Sequence, residues 1–411
     1  MDIKIIPGKL NGTVSIPSSK SMTHRVLIGA ALAKGKSVIS NVTFSKDIYA
    51  TIDALKASGA DITAVGNTVT VNGLCGRCPQ NAEIDCCESG STLRFMIPVT
   101  AALGINSVYK GQGRLPERPI TPYLRELPQK GITFDYENTM PFTVSGKLLS
   151  GKYSLEGNIS SQFITGLLFA LPLLEGDSEI ILTSPLESKP YADMTIESLK
   201  LFGIDIKETQ KGYYIKGSQQ YHSSDVSVEG DYSQAAFFYV ANALGSNVKI
   251  ENLKKESTQG DKKIVEITEN LCYNENNVPM GFSVNASDIP DLVPILAVLG
   301  TYCCDTSRIS GAERLKIKES DRLTATAAAI NALGGDVTPV NDGLIINNAR
   351  LCGGSIDSCG DHRIAMCAAI AATICQEPVI IKNADSVEKS YPDFFRDYQN
   401  LGGIANVITV E

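Results

Sequence analysis

Leu199-Lys200-Leu201-Phe202-Gly203-Ile204-Asp205-Ile206 reads as a helix that stops at a glycine and turns at once into a strand. Glycine supplies the left-handed residue that commonly ends a helix. The same phrase occurs at Ala54 to Ile62 with Gly59, and at Leu124 to Phe134 with Gly131. It returns at Ala332 to Val337 with Gly335 and at Leu401 to Val407 with Gly403. Gly59 to Gly131 and Gly131 to Gly203 are each 72 residues, Gly203 to Gly335 is 132, and Gly335 to Gly403 is 68. A degenerate copy without the glycine, Ile264 to Asn274, fills the long gap. One match is an ordinary helix stop, but a near-constant period is the mark of a repeat. Six α/β units of about 70 residues are expected, too long for a solenoid and suited to two domains of three units each. Thr68–Val71, Phe142–Val144, Tyr213–Ile215 and Gly343–Ile346 read as strands after these stops.

Composition narrows the class. The 411 residues suffice for two cores, and 43% apolar with 20% charged content is globular. A net charge of −8 argues against a nucleic-acid partner. No apolar run approaches the ~18 residues of a membrane span, and the start Met1 to Leu10 lacks a signal-peptide apolar core. Eleven cysteines, an odd number, fit reduced thiols and a cytoplasmic location. Cys75-Gly76-Arg77-Cys78 has zinc-like spacing, but no second pair matches it, so no metal is expected. No GxGxxG follows the first strand, and Gly35-Lys36-Ser37 stands after a helix rather than before one. Both nucleotide-binding readings fail.

Three segments place hydroxyls or cations where long apolar helices begin: Pro17-Ser18-Ser19-Lys20-Ser21 with Arg25, Asn158-Ile159-Ser160-Ser161-Gln162, and Gly360-Asp361-His362-Arg363. A helix N-terminus is already electropositive, so cations there cost stability unless an anion sits among them. Gly90-Ser91-Thr92-Leu93-Arg94 repeats the pattern, and Glu117-Arg118-Pro119 adds a cation beside a proline turn. Ser188-Lys189-Pro190-Tyr191 reads as a rigid loop with a hydroxyl, an amine and a phenol. In Lys318-Glu319-Ser320-Asp321-Arg322 the two cations stand four apart, which predicts one shared helix face. Asp291 sits at the edge of the apolar run Leu292 to Leu299, and Lys389 adds another cation. Taken singly these are caps and solvated faces. Together they suit a ligand pair carrying phosphates and carboxylates.

In this order, from Ser18-Ser19-Lys20-Ser21 through Ser160-Ser161-Gln162-Phe163, Ser188-Lys189-Pro190-Tyr191 and Lys318-Glu319-Ser320-Asp321-Arg322 to Asp361-His362-Arg363 and Lys389-Ser390-Tyr391-Pro392-Asp393, the motifs resemble the enolpyruvyl transferase family over the whole chain. Within it they resemble the branch that acts on shikimate 3-phosphate. The resemblance implies two inside-out α/β barrel domains, each of three βαβαββ repeats, joined by a double crossover hinge. Residues 19–228 would form one domain, and 1–18 with 229–411 the other, with the site in the cleft. It implies transfer of the carboxyvinyl group of phosphoenolpyruvate to the 5-hydroxyl of shikimate 3-phosphate with release of phosphate, on the route to chorismate and aromatic amino acids. It implies no cofactor, and a monomer is expected.

Carried over by position, Ser21, Arg25, Ser160, Ser161, Gln162, Ser188, Tyr191, Asp291 and Lys318 match shikimate 3-phosphate ligands. Lys20, Gly90, Arg118, Gln162, Arg322, Arg363 and Lys389 match phosphoenolpyruvate ligands, with Arg94 close by. Asp291 would be the base on the 5-hydroxyl, and Glu319 and Lys20 the two candidates for proton transfer at C3. Two positions depart from the usual pattern: Glu88, where many members carry Asn, and Arg314, where an amide is common. A carboxylate at Glu88 repels phosphoenolpyruvate unless a cation pairs with it. The departures bear on inhibitor sensitivity and affinity, not on reaction class. The sister enzyme acting on a UDP-sugar is the alternative. It would need a reactive cysteine after Arg94, and Gln112 to Arg118 contains none.

Overall fold

The computed structural model describes residues 1–74 and 76–408. They form two compact units, Met1–Pro17 with Gly230–Glu411, and Ser18–Glu229. Ser18–Glu229 holds helices α1 (Lys20–Leu32), α2 (Lys46–Ala57), α3 (Gly90–Leu103), α4 (Thr121–Glu126), α5 (Ser161–Ala170) and α6 (Lys189–Leu201). The other unit holds α7 (Tyr232–Ala243), α8 (Lys263–Glu269), α9 (Val293–Tyr302), α10 (Arg322–Ala332), α11 (His362–Ala371) and α12 (Phe394–Asn400). Among the described residues, no helix is long and apolar enough to cross a membrane.

Odd- and even-numbered helices do different jobs, and their sequences show why. Nine of ten residues of α9 and all ten of α11 are buried, whereas only five of the thirteen in α6 are. A helix that is apolar all round belongs inside, and one with a polar face belongs outside. The odd helices are therefore interior and the sheets lie around them, the inside-out arrangement.

Five sheets share one plan: a parallel pair extended by an antiparallel pair, which is a hairpin in four of them and joins Asp2–Ile6 to Ile404–Ile408, far apart in sequence, in the fifth. In one, Lys152–Leu155 runs parallel to Ser178–Leu182, and Gly212–Ile215 pairs antiparallel with that strand and with Ile206–Thr209. The sixth is reduced. Asn11–Ser15 lies parallel to Asn247–Glu251, and after α8 only an isolated bridge, Tyr273 to Pro279, stands where a hairpin would be. This is the degenerate copy, whose helix ends at Asn270 rather than at a glycine.

The chain crossover exchanges two strands. The strand before α1, Asn11–Ser15, pairs with the one after α7, Asn247–Glu251, and the strand before α7, Val226–Ser227, pairs with the one after α1, Lys36–Ser40. Within one unit the Ser19 N–H donates to the Glu229 carbonyl at 2.7 Å, and within the other the Asp231 N–H donates to the Pro17 carbonyl at 2.9 Å. Each unit thereby completes three repeats from a chain that passes between them twice.

The glycine stops need one correction. The left-handed residue in the last two copies is the first glycine of each pair, Gly334 (φ +94°) and Gly402 (φ +84°), not Gly335 and Gly403. The second glycine is there for space. A Cβ on Gly335 would lie 2.4 Å from Ile330 Cγ2, and one on Gly403 2.2 Å from the Tyr398 ring.

Candidate active site

In the Ser18–Glu229 unit, the predicted residues gather at helix starts. The Ser19, Ser89 and Ser160 hydroxyls accept from the Met22, Thr92 and Gln162 N–H groups and cap α1, α3 and α5. The first turns of α1, α3, α5 and α6 carry no acidic residue. Their N-terminal charge is not offset by a carboxylate in the helix's own first turn.

Buried Arg25 knits three of these helices together. Its Nε donates to Thr195 Oγ1 at 2.9 Å, Nη1 to the Ser21 carbonyl at 2.7 Å, and Nη2 to the Tyr191 carbonyl at 2.9 Å and Thr165 Oγ1 at 3.4 Å. Burial pulls this guanidinium down to about 10, so it stays cationic at neutral pH. Gln162 is fixed from both ends, accepting from Arg94 Nη1 at 2.6 Å and donating to Ser91 Oγ at 3.0 Å. Lys20 Nζ lies 2.8 Å from Asp47 Oδ2. Gly90 faces the Arg118 guanidinium, which a Cβ there would meet at 2.7 to 2.8 Å. Glu88 lies against Gly113, whose added Cβ would be 2.4 Å from Glu88 Oε2.

In the other unit a charge cluster surrounds Asp291, on the 3-10 turn Pro290–Leu292 that leads into α9. Arg322 Nη1 donates to Asp291 Oδ1 at 2.9 Å, and Arg363 Nη2 to Asp291 Oδ2 at 2.8 Å. Arg322 also holds Glu319 through Nη2 at 2.7 Å and Asp361 through Nε at 2.9 Å. Asp361 is fully buried, caps α11 by accepting from the Arg363 N–H at 3.0 Å, and accepts from Ser320 Oγ at 3.0 Å. Lys389 Nζ donates to the Gly360 carbonyl at 2.8 Å, just before that cap.

The cluster shifts its own titrations. Burial works to raise the Asp291 carboxyl, but Arg363, Lys318 and Arg322 outweigh it and hold it far below the ordinary carboxylate range. Desolvation pulls the Lys318 amine down to about 8, against the pull of Asp291 and Glu319. Behind them lies Asp261, 3% exposed, which accepts a hydrogen bond from Ser233 Oγ. Burial, then the Asp291 charge, push its carboxyl up to about 7.

Two sequence expectations are corrected. Lys318 and Arg322 do not share a helix face. Lys318 is extended at the end of the 3-10 segment Glu313–Ile317, and α10 starts only at Arg322, capped by Asp321 through the Thr324 N–H. Asp321 at the cap position stops the helix from reaching back. Ser188 to Tyr191 is not a loop either. Ser188 is a left-handed residue and Lys189, Pro190 and Tyr191 form the first turn of α6, where proline is well tolerated. Cys75 of the zinc-like motif lies outside the described residues, and among those described no group of His, Cys, Asp and Glu could hold a metal ion.

Sequence reasoning missed the anchors. Asp47 and Asp361 steady the cations Lys20 and Arg322, and Thr165 and Thr195 steady Arg25. Asp361 could have been found, because an acid two residues before an Arg at a helix start is a cap that also fixes a cation. Asp261 gives no such signal.

The chain is similar to known proteins over its whole length. The sequence model described as EPSP synthase (3-phosphoshikimate 1-carboxyvinyltransferase) matches residues 5–398. The 3-phosphoshikimate 1-carboxyvinyltransferase of Clostridium novyi (strain NT) is 46% identical, covering 98% of this chain and 98% of the relative. That of Clostridium beijerinckii is 43% identical at the same coverage. Among solved structures, EPSP synthase from Acinetobacter baumannii superposes with a TM-score of 0.81 at 25% identity, over 99% of this chain and 100% of that one. The chain belongs to the EPSP synthase (3-phosphoshikimate 1-carboxyvinyltransferase) family.

Proposed function

We propose that this protein transfers the carboxyvinyl group of phosphoenolpyruvate to the 5-hydroxyl of shikimate 3-phosphate and releases phosphate. The observation that carries the reading is the convergence of Arg322, Arg363, Lys318 and Glu319 on Asp291, in a chain of this family. Two arginines directed at one carboxylate form a fork suited to a substrate carboxylate. Lys318 suits the shikimate side, and Lys389 with Lys20, Gly90, Arg94 and Arg118 the phosphoenolpyruvate side. Ser21, Arg25, Ser160, Ser161, Gln162, Ser188 and Tyr191 would hold shikimate 3-phosphate.

Asp291 takes the proton of the 5-hydroxyl while that oxygen bonds to C2 of phosphoenolpyruvate, and C3 gains a proton from Glu319 or Lys20. The tetrahedral product then loses a proton from C3 as the C2–O bond to phosphate breaks. The cations stabilise the charge that moves to the leaving phosphate. One polypeptide supplies every group named, which is consistent with a monomer, and a biosynthetic role with phosphorylated substrates fits the cytoplasm. The test is phosphate release from phosphoenolpyruvate with and without shikimate 3-phosphate. Release that ignores the second substrate would overturn the reading.

A further inference from the structure

The arginine fork of the Gly230–Glu411 unit is closed on one of the protein's own carboxylates. Asp291 offers one oxygen to each arginine, Oδ1 to Arg322 at 2.9 Å and Oδ2 to Arg363 at 2.8 Å. A bound substrate carboxylate would need that same two-oxygen, two-arginine geometry. Arg363 grips the segment further, with Nη1 donating to the Asp291 backbone carbonyl at 3.3 Å.

Arg322 has little capacity left. A guanidinium has five N–H donors. Nε goes to Asp361, Nη1 to Asp291, and Nη2 to both Glu319 and Asp361, so four of the five are engaged. Asp361 cannot yield, being fully buried and fixed by the α11 cap and Ser320. Asp291 can, since its side chain keeps 17% of its surface exposed.

We propose that Asp291 is the resident occupant of the carboxylate fork, so that an incoming carboxylate must evict it, and that eviction makes it a base. This rests on the reading of the site given above. The exchange is like for like, one carboxylate for another between the same two arginines, so it needs no net loss of charge-assisted hydrogen bonds. The groups facing Asp291 decide its proton affinity: Arg363 on α11, Arg322 at the start of α10, Lys318 and Glu319 before it, and Asp261 before α8. While both arginines hold it, the carboxylate is too weak a base to take a hydroxyl proton. Once a substrate carboxylate takes the arginines, its proton affinity rises as the 5-hydroxyl arrives. The device ties base strength to occupancy of the fork.

The test is binding of labelled phosphoenolpyruvate to the whole chain without shikimate 3-phosphate, by ultrafiltration. Asp291→Asn and Asp291→Ala, checked for native melting, should each bind it about ten-fold or more tighter than the native protein. That gain corresponds to roughly 1.4 kcal/mol. Glu319→Gln removes a neighbouring negative charge but leaves the occupant in place, and should gain much less. No tightening in a folded Asp291 variant, or an equal gain in Glu319→Gln, would overturn the proposal. Turnover separates this from the parent reading. Inactive Asp291 variants with unimproved binding would sink the occupancy alone, whereas Asp291 variants that still turn over would sink the assignment of Asp291 as base.

Discussion

Gly90 leaves the Arg118 guanidinium no room to share: a single methyl group at that glycine would stand 2.7 to 2.8 Å from its Nη and Cζ atoms. Gly90→Ala should fold, since alanine favours a helix over glycine by about 0.5–1 kcal/mol and the arginine tip can move. On the proposed assignment of Arg118, the moved tip loses its aim at phosphoenolpyruvate. The KM for that substrate should rise about 10- to 150-fold, as for loss of a charged hydrogen bond of roughly 1.5–3 kcal/mol. Steady-state kinetics with a melting curve checks this, and an unchanged KM would remove Arg118 from the substrate's ligands.

The Lys20–Asp47 pair predicts a graded pair of mutants. Lys20→Met should lower turnover by about 100- to 10,000-fold, the range for one acid–base group. Asp47→Asn, which leaves the amine in place and removes only this ion pair, should cost clearly less. Single-turnover measurements that gave equal losses would make Asp47 more than an anchor.

Lys318 sets an alkaline limit. Its amine is cationic below about 8 and neutral above, so kcat/KM for shikimate 3-phosphate should fall as pH rises through that value. Lys318→Arg, which stays charged, should move the fall to higher pH. A fall that stays in place in this variant would assign it to another group.

Asp261 predicts a change of stability with pH. Its carboxyl is raised from near 3.8 to about 7, so the folded chain keeps a proton that the unfolded chain releases. That contribution is complete below about 4 and is lost as pH rises to 7. Asp261→Asn, which cannot ionise, should therefore gain on the native protein between pH 5 and pH 8, by on the order of 1–3 kcal/mol. Denaturant melts at the two pH values measure it, and no relative gain would mean Asp261 is ionised throughout.

The repeat was legible because helix stops depend on local chemistry: Gly59, Gly131 and Gly203 are left-handed as expected. The strand exchange at Pro17 and Gly230 was not legible from periodicity, because parallel partners far apart in sequence leave no local mark. In the site, cations at helix starts stood out because they oppose the dipole there. The place of Lys318 was misread, since spacing by four implies a shared face only where a helix runs through both residues. Asp321 at the cap ended that helix first. Asp261 went unseen because its role comes from burial beside Asp291, which only tertiary packing creates.

The most direct measurement is inorganic phosphate released from phosphoenolpyruvate by the purified chain, with a chelator present, with and without shikimate 3-phosphate. The account predicts release only with both substrates, and its loss by about 100-fold or more in Glu319→Gln if Glu319 handles the C3 proton. Release without shikimate 3-phosphate, or none with both, would contradict the assignment of this site to carboxyvinyl transfer.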